Sequence, residues 1–333
     1  MAFKTISEGA VKLNIPIAKR IYDADVFYNP VMVVNRDISV LIAKVFGFGT
    51  AVDLLSATGI RALRLKKEAN IKEVCANDAN PRAAKLIKAN AKLNRLKINI
   101  TNLKANDFFC RTSHGFDYVD IDPFGTPVPF LDLAVVRSVK KGGVIGVTAT
   151  DTAALCGAAP SACLRKYGAM PLHGNIMHEV GIRILLKKVI EAGAQYDIAL
   201  TPVFCHSTEH YMRVYLKADR GAGKTNSVLK QVGCYENAGP LWLGRLWDEK
   251  LVDAIYKLSA NNKTITSGTK KLLHLIKEEA KVDAFGYFDI ATMSLKQVPK
   301  LADVISNLKA KGFSASRTHF SPTGIRTNAK KIF

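Results

Sequence analysis

The chain has 333 residues, of which 48% are hydrophobic, so it can bury a large core and we expect two domains. Its 48 Lys and Arg residues against 28 Asp and Glu residues give a net charge of +20, which favours a polyanionic partner, nucleic acid or an anionic membrane. No apolar run approaches the roughly 18 to 20 residues that span a bilayer, and residues 1–12 lack the apolar core of a signal peptide, so we expect a cytoplasmic protein.

The first polar cluster of the chain lies at residues 27–37 and combines aromatic, basic and acidic side chains. Asn29 precedes a proline and marks a turn, and Asn35 or Asp37 could cap a helix predicted over residues 38–46. An aromatic, an arginine and an aspartate in one loop would suit a flat, charged ligand. Helix capping alone is the alternative explanation.

A crossover typical of nucleotide-binding folds follows. The apolar strand 51–55 leads through the small-residue turn 56–59 into a helix predicted over residues 60–69. Only Gly59 stands where a dinucleotide-binding turn needs three glycines, so the close approach of a pyrophosphate is not provided. The sequence therefore predicts a cofactor without pyrophosphate.

Strands and helices then alternate. The next strand, 73–77, ends at Asp78, and its interval from Asp53 is that at which an acid accepts hydrogen bonds from a ribose. This alternation predicts a doubly wound, mainly parallel sheet. The further predicted elements are helix 81–96, strand 98–104, strand 116–122, helix 129–139, strand 143–150, helix 175–190 and the hairpin of strands 195–203 and 210–217.

The stretch 116–125 organises the chain because its strand ends in an acid, a proline, an aromatic and a glycine. Pro123 and Gly125 must stop the strand, which leaves Asp122 and Phe124 at its carboxyl end. Ligands collect in the crevice outside the carboxyl ends of strands in open α/β sheets. An acid-Pro-aromatic turn in this place is also typical of amino-methylating enzymes. A turn cap and a core aromatic are the alternative.

The C-terminal part is predicted to form a smaller α/β or winged-helix-like domain, so that the chain divides into residues 1–245 and 246–333. Before it, residues 150–171 are predicted to be a small-residue loop, long enough for a functional lid. The glycine-rich run 219–224 lacks the spacing of a phosphate loop and is predicted to be a turn. The elements predicted for the C-terminal domain are helices 247–260, 269–280 and 299–311 and a strand at 285–290.

The tail from residue 300 is the most basic part of the predicted C-terminal domain, with Asp303 as its single acid. The run 316–322 interleaves hydrogen-bond donors with an aromatic, which suits phosphate contact and base stacking. A solvated charged surface is the alternative. The residues predicted to bind nucleic acid are Arg317, His319, Arg326, Lys330 and Lys331.

The six cysteines are scattered singly and form no Cys-x-x-Cys pair, so neither a zinc ribbon nor a disulfide framework is predicted. We expect reduced, small core residues.

Five segments together resemble the tRNA (guanine-26-N2)-dimethyltransferase family, in order and over nearly the whole chain, and look most like an archaeal member. Many relatives carry a four-cysteine zinc insert before the Gly-Pro-Leu-Trp motif, where this chain has only Cys234, so no metal is expected. The segments that carry the resemblance are 27–37, 53–64, 122–125, 239–244 and 316–327.

The resemblance implies a Rossmann-like seven-stranded methyltransferase sheet, S-adenosylmethionine as the cofactor, tRNA as the partner and methylation of a guanine N2 at tRNA position 26. The cofactor would lie over the turn 56–59, with Asp78 on its ribose, Arg61 or Arg36 near its carboxylate and Asp107 at its adenine. The full set of implied cofactor residues is Arg36, Asp53, Ser56, Ala57, Gly59, Arg61, Asp78, Ala79, Asp107 and Phe108.

The catalytic residues that we predict are Asp122, Pro123, Phe124 and Phe27. The exocyclic nitrogen of guanine is a poor nucleophile because its lone pair is delocalised, and the Asp122 carboxylate could localise that pair and take up the proton. Phe124 and Phe27 would clamp the purine face to face. Two alternatives stay open: methylation of another exocyclic amine, such as adenine N6, and a non-catalytic RNA-binding protein with a methyltransferase-like fold.

Overall fold

The computed structural model of the protein describes residues 2–17, 20, 23–112, 114–293 and 299–332. In this part of the chain no helix has both the length and the apolar character needed to cross a bilayer. The strands are β1 (Phe3–Glu8), β2 (Val11–Pro16), β3 (Thr50–Asp53), β4 (Glu73–Asn77), β5 (Asn99–Thr101), β6 (Phe116–Ile121), β7 (Val139–Ala149), β8 (Ile198–Thr208), β9 (Tyr211–Arg220), β10 (Val232–Tyr235), β11 (Ala238–Trp242), β12 (Phe288–Asp289), β13 (Ala315–Arg317) and β14 (Gly324–Thr327). The α-helices are α1 (Val33–Phe46), α2 (Ile60–Glu68), α3 (Pro81–Leu93), α4 (Ala105–Arg111), α5 (Val128–Leu133), α6 (Thr152–Leu155), α7 (Pro160–Tyr167), α8 (Met177–Ala194), α9 (Ala222–Leu229), α10 (Glu249–Ala260), α11 (Ser267–Glu279) and α12 (Leu301–Ala310).

The central sheet has the strand order β5-β4-β3-β6-β7-β9-β8. Strands β5, β4, β3, β6 and β7 run parallel, whereas β9 pairs antiparallel with both β7 and β8. The chain builds outward from β3 through β4 and β5 and then returns to add β6 on the other side of β3. The strand order therefore reverses between β3 and β6, which is where α/β sheets bind their ligands. The predicted seven-stranded Rossmann-like sheet with its closing hairpin is confirmed.

The central parallel strands β3, β4 and β6 are largely buried because helices cover both faces of the sheet. Helix α8 shows the same effect: it packs against β8 and β11, and its residues Val180, Leu185 and Val189 are fully buried. A helix enclosed in this way is apolar around most of its circumference. The main core therefore extends through the sheet to the helices beyond it.

The main core also crosses the predicted domain boundary at residue 245. Helices α10 and α11 pack on α1, and Leu251, Ile255 and Ile276 belong to the same apolar cluster as the sheet. A second, smaller core forms around α12 and the antiparallel sheet β12-β14-β13. The smaller C-terminal α/β unit is thus present, while the division at residues 245 and 246 stays a prediction.

Two local predictions are wrong. Residues 150–171 form helices α6 and α7, which Pro160 begins and a left-handed Gly168 ends, and Tyr167 is fully buried, so this segment is packed structure and no lid. Helix α1 begins at Val33, so Asn35 and Asp37 lie inside the helix and do not cap it.

The N-terminal hairpin β1–β2 was not predicted, although every second residue of β2 is buried, the period expected of a half-buried strand. Its inward residues are Val11, Leu13 and Ile15. They pack with Ile60 and Leu63 of α2, so the hairpin covers one side of that helix.

Two residues predicted to bind nucleic acid belong to a buried ion cluster instead. Arg326 is 1% exposed and pairs with Glu179 at 2.5 Å and with Glu279 at 3.0 Å. The His319 side chain is buried and pairs with Glu279 at 2.6 Å. The prediction that Arg326 and His319 contact tRNA is therefore wrong, because these internal carboxylates occupy them. Arg317, Lys330 and Lys331 are exposed, and their role stays a prediction.

We expect Glu279→Gln to destabilise the protein at neutral pH and to flatten its loss of stability in acid. Burial would raise the pKa of Glu279, but the charges of His319 and Arg326 lower it from 4.5 to about 2. The ionised carboxylate therefore stabilises the fold above about pH 4.5, and this contribution is lost as the pH falls towards 2.

Thermal unfolding from neutral pH down to about pH 3 measures this difference. Glu278→Gln, which alters the adjacent and exposed carboxylate, is the matched control. If the wild type and Glu279→Gln lose stability in acid by equal amounts, the buried cluster does not provide the acid sensitivity.

Candidate active site

A cavity of about 730 Å³ opens at the carboxyl ends of β3, β4 and β6, at the reversal of strand order. Its volume lies within the range of small-molecule sites. Most of the catalytic and cofactor residues predicted from the sequence share this one cavity. They are Phe27, Arg36, Asp53, Ser56, Ala57, Arg61, Asp78, Asp122, Pro123 and Phe124.

The turn between β3 and α2 is held by hydrogen bonds that begin at the ends of the strands. The Ser56 hydroxyl donates to the Asp53 carbonyl oxygen at 2.7 Å. The Asp78 carboxylate accepts from the backbone N–H groups of Ala57 and Asn80, both at 2.8 Å. Asp78 thus joins the turns that follow β3 and β4, and it lies on the cavity wall.

Gly59 has a structural reason to be glycine. Its φ of +79° lies in the left-handed region, and a Cβ there would approach the Ile87 side chain to 3.0 Å. Gly59 therefore allows α2 to start close to α3, and it does not line the cavity.

Arg61 connects the candidate base to the protein interior. Its guanidinium pairs with Asp122 and, through Nε, with Asp120 at 3.1 Å. Its Nη1 donates to Asn35 Oδ1 at 2.8 Å and to Ser39 Oγ at 2.6 Å. The side chain of Asp122 is 18% exposed, and only its Oδ2 is bound by Arg61. Within the described part of the chain, Asp122 Oδ1 has no hydrogen-bond donor and is free to accept one from a ligand.

Three carboxylates, those of Asp53, Asp120 and Asp122, lie around Arg61, and the pKa values of Asp53 and Asp120 are shifted in opposite directions. Burial raises the pKa of Asp53 to about 7, and the neighbouring carboxylates of Asp120 and Asp122 act in the same direction against Arg61. Burial would also raise the pKa of Asp120, but the charges of Arg213 and Arg61 lower it. Asp120 is therefore a fixed buried anion, while Asp53 titrates near neutrality.

Arg36 also lines the cavity, and it is anchored from behind. Its Nε and Nη2 donate to the two carboxylate oxygens of Glu8 at 2.7 and 2.6 Å, and Nη2 also donates to the Asn29 carbonyl oxygen. No described residue accepts a hydrogen bond from its Nη1, which stays available for an anionic group in the cavity.

The predicted face-to-face clamp of Phe27 and Phe124 is wrong. The two rings contact each other edge to face, with centroids 4.5 Å apart, which leaves no space for a base between them. Phe124 is 67% exposed, so one face of its ring can stack with an incoming base.

Sequence reasoning missed the wall contributed by the β8–β9 hairpin. Its turn residues Glu209 and His210 and the first residue of β9, Tyr211, line the cavity. The Tyr211 hydroxyl is buried and has no hydrogen-bond partner within the described residues, and burial raises its pKa. The sequence of β9 predicts a strand, but it could not show that the hairpin end returns to Asp122.

The remaining predicted cofactor residues do not line the cavity. Asp107 lies exposed in the first turn of α4, after β5, while Phe108 is buried against Phe109 and Phe116. Ala79 is exposed beside Asp78. Their contacts with a cofactor stay predictions.

No His, Cys, Asp and Glu side chains within the described ranges form a group of three or more that could hold a metal ion. Cys234, where the resemblance led us to look for zinc ligands, is exposed and free. The absence of a metal stays a prediction.

Comparisons with known proteins identify similar sequences over almost the entire chain. The family model for N2,N2-dimethylguanosine tRNA methyltransferases matches residues 9–238 and 232–332. The tRNA (guanine(26)-N(2))-dimethyltransferase of Thermococcus kodakarensis is 40% identical over 99% of this chain and 97% of its own length. The tRNA (guanine(26)-N(2)/guanine(27)-N(2))-dimethyltransferase of Aquifex aeolicus is 39% identical over 97% of this chain and 92% of its own length.

A solved structure is also similar over nearly the whole chain. Trm1 from Pyrococcus horikoshii, in complex with S-adenosyl-L-methionine, superposes with a TM-score of 0.91 at 36% identity. The match covers 98% of this chain and 97% of the other.

We expect Asp78→Asn to weaken the binding of S-adenosyl-L-methionine by about tenfold or more. Each Asp78 oxygen accepts a hydrogen bond from a backbone N–H, and the amide nitrogen of asparagine cannot accept one of these bonds. The substitution also removes a hydrogen-bond acceptor from the cavity wall. Calorimetric titration measures the dissociation constant.

Asp219→Asn is the matched control. Asp219 is an exposed carboxylate near the end of β9 that lies away from the cavity. Equal affinities of the wild type and Asp78→Asn would remove Asp78 from the cofactor site. A thermal-unfolding measurement on the variant separates a local effect from loss of the fold.

Proposed function

The chain belongs to the N2,N2-dimethylguanosine tRNA methyltransferase family, and from this premise we propose how its residues carry out the reaction. It is an S-adenosyl-L-methionine-dependent enzyme that methylates the exocyclic N2 of guanine in tRNA. The alternative of a non-catalytic RNA-binding protein is rejected. Position 26 of the tRNA is the proposed target, as the names of the similar enzymes state for them. We further propose a cytoplasmic location, where tRNA is available and single cysteines stay reduced.

The cavity fits the cofactor in its donor and acceptor groups. Asp78 presents a carboxylate at the place expected for ribose hydroxyls, and the Nη1 of Arg36 offers free donors for a carboxylate. Arg61 is less suited than Arg36 to bind the cofactor carboxylate, because all three of its guanidinium nitrogens already bind protein groups. When bound, S-adenosyl-L-methionine supplies an electrophilic methyl group.

Asp122 is the proposed general base, and the free Oδ1 of its carboxylate is the observation that carries the proposal. Arg61 holds Oδ2 and fixes the plane of the carboxylate, so Oδ1 can face the guanine amino group. A hydrogen bond from the guanine amino N–H to Oδ1 localises the nitrogen lone pair, and the same oxygen can take up the proton that the nitrogen loses. Asp122 therefore acts directly on the substrate, and Arg61 acts through Asp122.

Phe124 is proposed to receive the purine on the exposed face of its ring. Phe27 supports the ring from its other side through the edge-to-face contact at 4.5 Å. The target guanine must leave the tRNA stack to reach the cavity, and stacking on an aromatic ring offsets part of that cost. Pro123 fixes the backbone between the proposed general base Asp122 and the stacking ring of Phe124.

We expect Asp122→Asn to lower turnover by roughly 10² or more while the affinity for S-adenosyl-L-methionine changes little. Asparagine keeps the size of the side chain, but it takes up no proton. Steady-state methylation of tRNA, together with calorimetric titration of the cofactor, measures both quantities.

Asp132→Asn is the matched control, because Asp132 is exposed on α5, shortly after the Asp122 turn. A normal rate for Asp122→Asn would show that Asp122 is not the base. Reduced cofactor affinity in that variant would indicate that the substitution disturbs the Arg61 contacts instead.

A tRNA with inosine at the target position should bind but accept no methyl group. Inosine has the shape of guanosine and its stacking face but no 2-amino group, so the proposed acceptor is missing. A tRNA with 7-deazaguanine there keeps the amino group and should remain a substrate. Mass spectrometry of the nucleosides distinguishes the products, and methylation of the inosine residue would mean that another atom receives the methyl group.

A further inference from the structure

We propose that a basic surface along α3 binds the phosphate backbone of tRNA. This α3 surface is defined by five exposed side chains, Lys85, Lys88, Lys92, Arg95 and Lys97. The proposal rests on the proposed function, because it takes tRNA as the substrate, and it adds the surface that receives the RNA outside the catalytic cavity.

The charge of this segment is uncompensated. Residues 79–106 contain seven Lys and Arg residues and no Asp or Glu. Like charges three and four residues apart on a helix repel each other, so the run offers the helix no stability of its own. Within the described part of the chain, none of the five side chains of the α3 surface forms an ion pair, whereas Arg82 at the start of the helix pairs with Asp25.

The geometry places these charges on one accessible face. Lys85, Lys88 and Lys92 are spaced by three and four residues and point outward, while Ile87 and Ala91 of the same helix are buried. The five side chains line an open groove of about 810 Å³ between α3 and β5, the edge strand of the central sheet. A groove lined by exposed cations and no acid suits a polyanion.

The groove begins close to the catalytic cavity. Helix α3 starts at Pro81, three residues after Asp78, and Asn80 caps it by accepting from the Arg82 backbone N–H. Asp78 and Asn80 also line a smaller cavity that Phe27 and Phe124 share. With 13 residues the helix extends for about 20 Å. An RNA strand whose guanine enters the catalytic cavity can therefore continue along α3, with its phosphates next to the lysines.

Among the described residues, the α3 surface offers five exposed cations without an ion pair, whereas only Lys330 and Lys331 of the five tail residues predicted to bind tRNA are exposed and unbonded. Arg326 and His319 of the tail are buried against Glu179 and Glu279. Arg317 is exposed but donates to the Pro322 carbonyl oxygen. Buried and internally bonded cations cannot release counterions when RNA binds, whereas free lysines can.

The triple variant Lys85→Gln/Lys88→Gln/Lys92→Gln tests the proposal. Glutamine keeps a good helix propensity, so the variant removes charge without breaking α3. We expect about tenfold or weaker tRNA binding, measured by filter binding, and a dependence of log affinity on log salt that is lower by about 2 to 3 units, since each lost phosphate contact removes about 0.7 to 0.9. The affinity for S-adenosyl-L-methionine and the turnover at saturating tRNA should not change.

The matched control Arg220→Gln/Lys224→Gln/Lys230→Gln removes the same net charge at the opposite edge of the sheet, beside α9 and β8. If the α3 variant binds tRNA with unchanged affinity and salt dependence, or if the control weakens binding equally, the α3 surface is not a tRNA site. Filter binding measures tRNA affinity without catalysis. Its result therefore tests the α3 surface even if Asp122 is not the general base or guanine N2 is not the methyl acceptor.

Discussion

The catalytic geometry depends on the ion pairs and hydrogen bonds of the Arg61 guanidinium. It lies at the reversal of strand order and binds Asp120 and Asp122 from β6 and its turn, together with Asn35 and Ser39 from α1. Removing one partner from a buried ion pair costs about 3 to 5 kcal/mol, because the other charge stays unpaired in the interior. The position of the candidate base is therefore fixed by the same contacts that hold α1 and α2 onto the sheet.

A second buried network supports the cavity from the N-terminal side. Glu8 of β1 accepts from Arg36 and Arg64, and Arg64 also pairs with Asp37 at 2.7 Å and Glu68 at 2.7 Å. Burial would raise the pKa of Glu8, but the charges of Arg36 and Arg64 lower it. The hairpin β1–β2 therefore has a direct functional consequence: it orients Arg36, which lines the cavity and whose Nη1 has no acceptor among the described residues.

The sequence alone predicted the parts of the site that strand ends determine. Asp78 and Asp122 each follow an apolar run, and parallel strands bring such ends to one edge, so both side chains were found without coordinates. Contacts that depend on loop conformation were beyond reach: the edge-to-face pair of Phe27 and Phe124 and the Tyr211 hydroxyl came from the structure. Arg326 was misassigned because a count of charges does not distinguish an exposed cation from one paired in the core.

That distinction changes the meaning of the net charge of +20. The buried arginines each contact a buried carboxylate, so they and their partners contribute little to the field outside the protein. The excess charge therefore belongs to exposed side chains, which are mainly lysines. Arginine suits fixed, buried pairs because its planar group binds several acceptors at once, whereas lysine suits a mobile contact with a phosphate backbone whose detailed shape varies. The buried arginines thus fix the fold around the active site and in the C-terminal ion cluster, whereas the proposed α3 surface consists mainly of lysines. The buried arginines are Arg36, Arg61, Arg64, Arg183, Arg213 and Arg326.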